Sequence, residues 1–336
     1  ALQYADFAHW QRGWLQGEVY ERQLEWWRGQ LGERPPVLDL PTDRPRPAVL
    51  TSRGGMVAVA LTPELTAAVH ELARGSGGTV FTLLLAVFQL LLHRLSGQDR
   101  VSVGTPVANR TRPEIEGLIG FFVNTVVLPA DLSGDPTTSE LLGRVRDVTL
   151  GAFDHQDFPF DQLVAALETD RDTSRQPLFQ AMFAIQNNKA SSFELPGLAL
   201  SWIDSGGDQT QWDLVLSLGE SGDRLAGALS YNADLFDAAT AERWAGWFVR
   251  LVEAVTADPE RRLSELPLRE EAQRLREERA AEAAQAAQVE EERRRAAEAE
   301  LEQRRRQLSS RRSQLSPERL AVLQKWVQGK GEGNEP

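Results

Sequence analysis

Residues 80–95 constrain this chain more than any other stretch. They read VFTLLLAVFQLLLHRL, with only Thr82 and Gln89 interrupting the apolar run before His93. A helix with one apolar stripe needs one partner surface, whereas a helix apolar nearly all round must be enclosed. With 336 residues, 41% of them hydrophobic, and nine Trp, the chain can build that enclosure. Spanning a bilayer takes about 20 consecutive apolar residues, so the run predicts the most buried helix of a packed domain and no membrane partner.

The flanking sequence supplies layers to enclose it. GGMVAVALT, from Gly54 to Thr62, alternates as a strand, and Pro63 then opens a helix that Gly75 closes. Strands are predicted over 54–62, 99–103, 121–128, 178–186, 212–218 and 224–231. Helices are predicted over 4–31, 63–75, 80–95, 137–154 and 238–257. On this reading Gly104 and Pro106 end the second strand, and a polar loop then runs to Leu118, with Arg110 pairing with a carboxylate. Five prolines between 33 and 49 keep that segment extended over the surface. Strands separated by helices make a mixed α/β lobe, helices packed on one sheet.

The net charge of −12 lies in the body: residues 1–268 carry 35 acidic and 22 basic side chains, residues 269–336 carry 14 and 15. An acidic body argues against nucleic acid as a partner. No cysteine is present, which excludes disulfides and thiolate metal sites and fits a reducing, cytoplasmic compartment. The isolated histidines His70 and His93 have no ligand spacing around them, so no metal site is predicted. His93 stands near a helix C-terminus, where positive charge is welcome.

Four motifs stand in order: YADFAHW at 4–10, GLIGFFVNTVVLPADL from Gly117, HQDFPFDQLV from His155 and RDTSRQPLFQAMFAI from Arg171. In the second, Asn124 interrupts an apolar strand and needs a partner. In the third, His155 and Asp157 tempt an acid–base reading, but no nucleophile is placed beside them, and a helix cap and turn fits better. In the fourth, Asp172 and Arg175 flank Ser174. Together the four resemble the condensation domains of nonribosomal peptide synthetases, over residues 2–268.

That resemblance implies a chloramphenicol acetyltransferase-like mixed-sheet lobe, with a long helical tail added to it. It covers only the second half of such a domain. The family's His-His-x-x-x-Asp-Gly motif belongs upstream of YADFAHW, and His9, His70, His93 and His155 include no adjacent pair. No catalytic residue is therefore assigned to this chain, which is expected to be inactive alone. The resemblance also implies partners: peptidyl carrier protein domains that present phosphopantetheine thioesters, a missing N-terminal lobe, and adjacent synthetase modules. No cofactor is expected to bind the chain directly. Asn124, Gln186, Asn187 and Trp212 are candidates for the wall of the active-site tunnel. Arg110, His155, Asp157, Asp172 and Arg175 are candidates for structural roles in the motifs. The polar segment between Asn187 and Thr210 suits a latch onto the other lobe. Three readings stay open: half of a condensation domain, a noncatalytic docking module, and an independent hydrolase or acyltransferase using His155.

Composition changes abruptly at residue 269. Residues 269–308 are almost entirely Glu, Arg, Ala, Gln and Leu with no Gly or Pro, a linker helix. Leu275, Val289 and Leu301 are too isolated for a coiled-coil seam, so few contacts with the lobe are expected. Residues 309–336 hold a short Ser-Pro-Glu helix and a disordered end.

Overall fold

The computed structural model describes residues 2–33, 35–167, 172–186 and 209–313. The chain divides into two compact units between Arg279 and Ala280. In the first unit six strands form one mixed sheet: β1 (Gly54–Ala60), β2 (Arg100–Val107), β3 (Asn124–Asp131), β4 (Ala181–Gln186), β5 (Leu214–Ser221) and β6 (Arg224–Asn232). Their order across the sheet is β1-β6-β5-β4-β2-β3. The central strands β2, β4 and β5 run parallel, and the outer pairings are antiparallel.

Pairing register sorts the side chains onto two faces. Val103, Leu128, Ala181, Phe183, Leu216, Leu229 and Val57 share one face, and nearly all of them are buried. Helices α3 (Pro63–Gly75), α4 (Val80–Ser96), α6 (Thr138–Asp154) and α8 (Ala238–Ala257) cover that face. α4 runs through the middle of this layer and contacts α3, α6, α8, β2 and β4, the enclosure its composition demands. Phe88 and Leu92 of α4 are fully buried; Phe88 stacks on Phe183, and Phe81 meets the same ring at a tilt. The polar Gln89 is tolerated there because its amide donates to Leu128 O at 2.9 Å. Thr79 caps the start of α4 through the Thr82 N–H, and left-handed Gly97 ends it.

Several elements differ from the sequence expectation, each for a local reason. The first helix is two, α1 (Tyr4–Trp14) and α2 (Gly17–Leu31). Leu15 turns into the core and Gly17 takes φ 55°, a conformation that suits glycine. β2 does not stop at Val103 but continues to Val107. Gly104 leaves room for the Phe179 ring, which would lie 2.2 Å from a Cβ there. Thr105 Oγ1 donates to Phe183 O at 2.7 Å and ties the extension to β4. β3 begins only at Asn124; Phe121, predicted as strand, is 78% exposed. Pro-rich residues 35–50 are extended as expected but fastened down, with Leu38 and Leu40 buried and the Leu38 N–H donating to Gln180 Oε1 at 2.7 Å.

The charged helix α9 (Arg269–Ser313) also departs from expectation at its start. Ala272 and Leu275 are buried in the first unit, Arg276 donates to Arg94 O, and Arg279 ion-pairs with the buried carboxylate of Asp43. Asp43 also accepts from Asp237 N at 2.7 Å and Thr240 Oγ1 at 3.0 Å at the head of α8. Leu275, which looks isolated in sequence, is an anchor because the body supplies its partners. The expected Ser316-Pro317-Glu318 helix, and the latch segment apart from its last residues Gln209 and Thr210, lie outside the described residues.

Candidate active-site wall

The second face of the sheet carries mostly small side chains. Register places Met182, Ala184 and Gln186 of β4 beside Val215, Ser217 and Gly219 of β5, then Ala226, Ala228 and Ser230 of β6 and Met56, Ala58 and Ala60 of β1. Met182 is buried; the others in this group are half-buried or exposed. Two of the tunnel candidates border this surface. Gln186 ends β4 exposed, its amide 3.4 Å from Ser217 Oγ. Trp212 is half-buried and stacks on Phe179 at 6.3 Å between ring centroids. Towards β3 the same face is closed by α7 (Phe160–Ala166) and by the Phe160–Phe179 contact. Asn187 lies outside the described residues.

Asn124 is placed differently. Its Nδ2 donates to Gln156 O at 2.7 Å and Phe158 O at 2.8 Å, and its Oδ1 accepts from Phe160 N at 3.2 Å. The amide thereby fixes the HQDFPF turn against the start of β3, which answers the need for a partner. His155 is the C-cap residue of α6. Its Nδ1 donates to Gly151 O at 2.8 Å, and its ring lies flat on Trp26 at 4.3 Å and 8°. Gly151 permits this stack, since a Cβ there would sit 2.5 Å from Trp26 Cζ2. Burial pushes the Asp157 carboxyl above its ordinary range, opposed by the Arg112 charge.

The fourth motif is a clasp. Asp172 Oδ1 accepts from Ser174 N at 2.8 Å and Ser174 Oγ at 2.6 Å, an Asx turn, and Arg175 Nε stands 3.5 Å from its Oδ2. The Ser174 hydroxyl, followed by its backbone N–H, holds the Asp172 carboxyl below the usual range. The turn pins the Pro-rich segment: Leu50 N donates to Thr173 O at 2.8 Å, and Arg46 donates to Ser174 O at 3.3 Å. Arg46 also grips Asp213, a carboxylate only 2% exposed, with both terminal guanidinium nitrogens. No sequence pattern pointed to this pair, because its members lie 167 positions apart and outside the four motifs.

Among the described residues Arg110 pairs with no carboxylate. It donates to Ile115 O and Glu116 O, and its guanidinium lies 4.2 Å from the Phe122 centroid. Phe7, Ile115 and Phe122 form a small second core, with Arg112 over Trp10 at its border. Beside it Ile119 (97%), Phe121 (78%) and Val123 (49%) point outward. Tyr4 holds this loop by donating to Phe121 O at 2.9 Å. The apolar run from Phe121 reads as strand and misplaced the loop; the sequence signal against it was Gly120, over which the Tyr4 ring lies.

The sheet, the four motifs and the half-open face define a class of acyltransferase-like lobes. The sequence model described as "Condensation domain" matches residues 1–276, and the chain belongs to the condensation-domain family. It is 48% identical over 269 residues to one component of the linear gramicidin synthase of Brevibacillus parabrevis, covering 80% of this chain and 4% of that protein. With malpinin synthetase of Mortierella alpina the identity is 46% over 273 residues, 81% of this chain and 4% of the relative. The chain thus spans a small part of these long relatives. Among solved structures, the X-domain from teicoplanin biosynthesis superposes with a TM-score of 0.74 at 32% identity, covering 79% of this chain and 62% of that one. A four-domain nonribosomal peptide synthetase bound to AMP and glycine aligns with a TM-score of 0.67 at 28% identity, covering 75% and 20%.

Proposed function

We propose that this chain is the C-terminal half of a nonribosomal peptide synthetase condensation domain and supplies one wall of its reaction tunnel. The observation that carries the reading is the asymmetry of the sheet, one face clothed in helices and the other lined by small, partly open side chains. Gln186 and Trp212 border that wall, while Asn124 and the motif residues Arg110, His155, Asp157, Asp172 and Arg175 hold its frame. The exposed Ile119 and Phe121 suit burial against a second lobe that carries the His-His-x-x-x-Asp-Gly motif. Two carrier proteins would present phosphopantetheine thioesters into the space between the lobes. The acceptor's neutral amine attacks the donor carbonyl carbon, the C–N bond forms, the C–S bond breaks, and the donor's thiol leaves with the proton the amine gives up. Such a reaction needs a shaped cavity that holds amine and thioester close and stabilises the oxyanion. A wall made mostly of Ala, Ser and Gly leaves space for both arms.

The test is reconstitution with two loaded carrier proteins. No dipeptidyl thioester is expected from this chain alone, and product is expected once a lobe bearing the histidine motif is joined to it. Product from the chain alone would overturn the reading. The second reading, a noncatalytic docking module, is favoured by one observation. The teicoplanin X-domain, 33% identical to this chain with a TM-score of 0.73 over 80% of this chain and 61% of that one, is known in complex with OxyB. Failure of the joined lobes to make product would favour that reading.

A further inference from the structure

We propose that residues 280–307 form a solitary helix, a strut of set length that pairs with no second helix. Its folding is templated by the buried turns that precede it. An isolated helix is penalised mainly at nucleation, when the first turn is ordered for a single hydrogen bond. Here that step is supplied. The first turns of α9 belong to the packed unit, where Ala272 and Leu275 are buried, Arg276 donates to Arg94 O and Arg279 pairs with Asp43. Propagation from a fixed nucleus is easy for this composition, since Ala, Glu, Arg and Gln are strong helix formers.

The second unit supports itself along its own length. Glu291 receives Arg294 at 2.8 Å and Arg295 at 2.9 Å, Arg294 reaches Glu298 at 3.9 Å, and Glu302 receives Arg306 at 2.5 Å. Such pairs at i+3 and i+4 add about 0.2–0.5 kcal/mol each to a helix, enough in series to offset fraying. A partner helix would need an apolar seam. Val289 and Leu301 are 44% and 55% exposed. At 100° per residue they point about 120° apart around the axis, so one neighbour cannot cover both. Interleaved charges of both signs offer neither a like-charged face nor a complementary stripe to a second copy.

The chain contains no cysteine, so Ala281→Cys and Gln307→Cys can take two spin labels on exposed positions of the full chain. Dipolar spectroscopy is expected to give one narrow distance near 39 Å between backbone positions, from the rise of about 1.5 Å per residue. A flexible chain of the same length would give a broad distribution centred about 25–31 Å. A broad, short distribution overturns the proposal, as does an added distance that vanishes on dilution with unlabelled chain. Hydrogen exchange gives an independent reading, with strong protection expected across the first turns of α9 and weak protection across 281–307. Strong protection of 281–307 would mean that the helix is covered, and would sink the proposal. The template clause is tested by Leu275→Asp and by the milder Arg279→Ala in the doubly labelled chain. The distance peak is expected to broaden in both while β4–β6 amides stay protected; an unchanged peak in both refutes templating.

Discussion

Phe183 and Ala184 are neighbours on β4 and face opposite surroundings. Phe183 is fully buried between Phe81 and Phe88, under helices that cover its face of the sheet. Ala184 points to the other face, among Ser217, Gly219 and Ala228. One face is filled with large apolar side chains that hold the lobe together, and the other is lined with small ones that leave space. The contrast separates stability from the proposed chemistry along a single strand, because a strand's alternate side chains can be selected for different tasks.

The comparison breaks most sharply at Phe183. Phe183→Ala is expected to destabilise the chain by about 3–5 kcal/mol, as large-to-small changes in a closed core do. Urea denaturation checks it; a loss under about 1 kcal/mol would mean that the clothed face is loosely packed. Next comes the clasp. Arg46→Met leaves Asp213 buried without its cation and is expected to cost about 3 kcal/mol, since breaking a buried pair strands a charge. Replacing both partners with apolar residues should recover much of that loss. Third, Ala184→Val and Ala228→Leu are expected to change stability by no more than about 0.5 kcal/mol, as partly exposed positions usually do. On the proposed half-domain reading, both should lower amide formation several-fold once the chain is joined to a lobe bearing the histidine motif. Equal activity with those larger side chains would show that the open face is not the wall.

The smallest effect is in pH. His93 lies half-enclosed in the last turn of α4, and burial holds its pKa below the ordinary 6.5 despite the Gln98 carbonyl that favours its charged form. The expectation that it welcomes charge at a helix C-terminus is therefore reversed, and desolvation by burial is the largest cause, with the Arg94 and Arg276 charges acting in the same direction. The unfolded chain then binds the proton more readily than the folded one, so stability falls as pH drops through 6.5 and levels off below the depressed folded value. His93→Gln should flatten that part of the stability curve, measured by urea midpoints between about pH 7.5 and 5.5. An identical slope in the variant would assign the effect elsewhere.

Much of the fold was legible because single stretches carried their own signals. α4 announced its burial by being apolar all round. β4, β5 and β6 read correctly as strands, and α8 by its Trp244, Trp247 and Phe248 stripe. What failed was whatever depended on a distant partner. Gly104 looked like a terminator until the Phe179 ring supplied its reason. Phe121 looked like strand because it opens a continuous apolar run, and such a run cannot say which of its residues face water. Asn124 was legible as a polar group in need of a partner, but not that the partner was the backbone of residues 156–160. The clasp of Arg46 on Asp213 joins positions 167 apart, and no local pattern predicts a bond of that span.

The place of β1 at the edge of the sheet has a consequence for how the protein is made. Among the described residues its strand partner is β6, with Ala60 opposite Ala226. The ribosome releases the chain from one end, so β1 emerges about 160 residues before that partner exists. At about 5–20 residues per second, this leaves GGMVAVA waiting for about 8–30 s with both edges open. The segment is apolar, carries no charge or proline, and offers unpaired backbone to any other nascent copy on the same message. Growth of the chain is thus a race between arrival of β6 and capture of β1. Slower translation beyond Ala60 should raise the insoluble fraction more than the same slowing after Asn232, when the strand already has its neighbour.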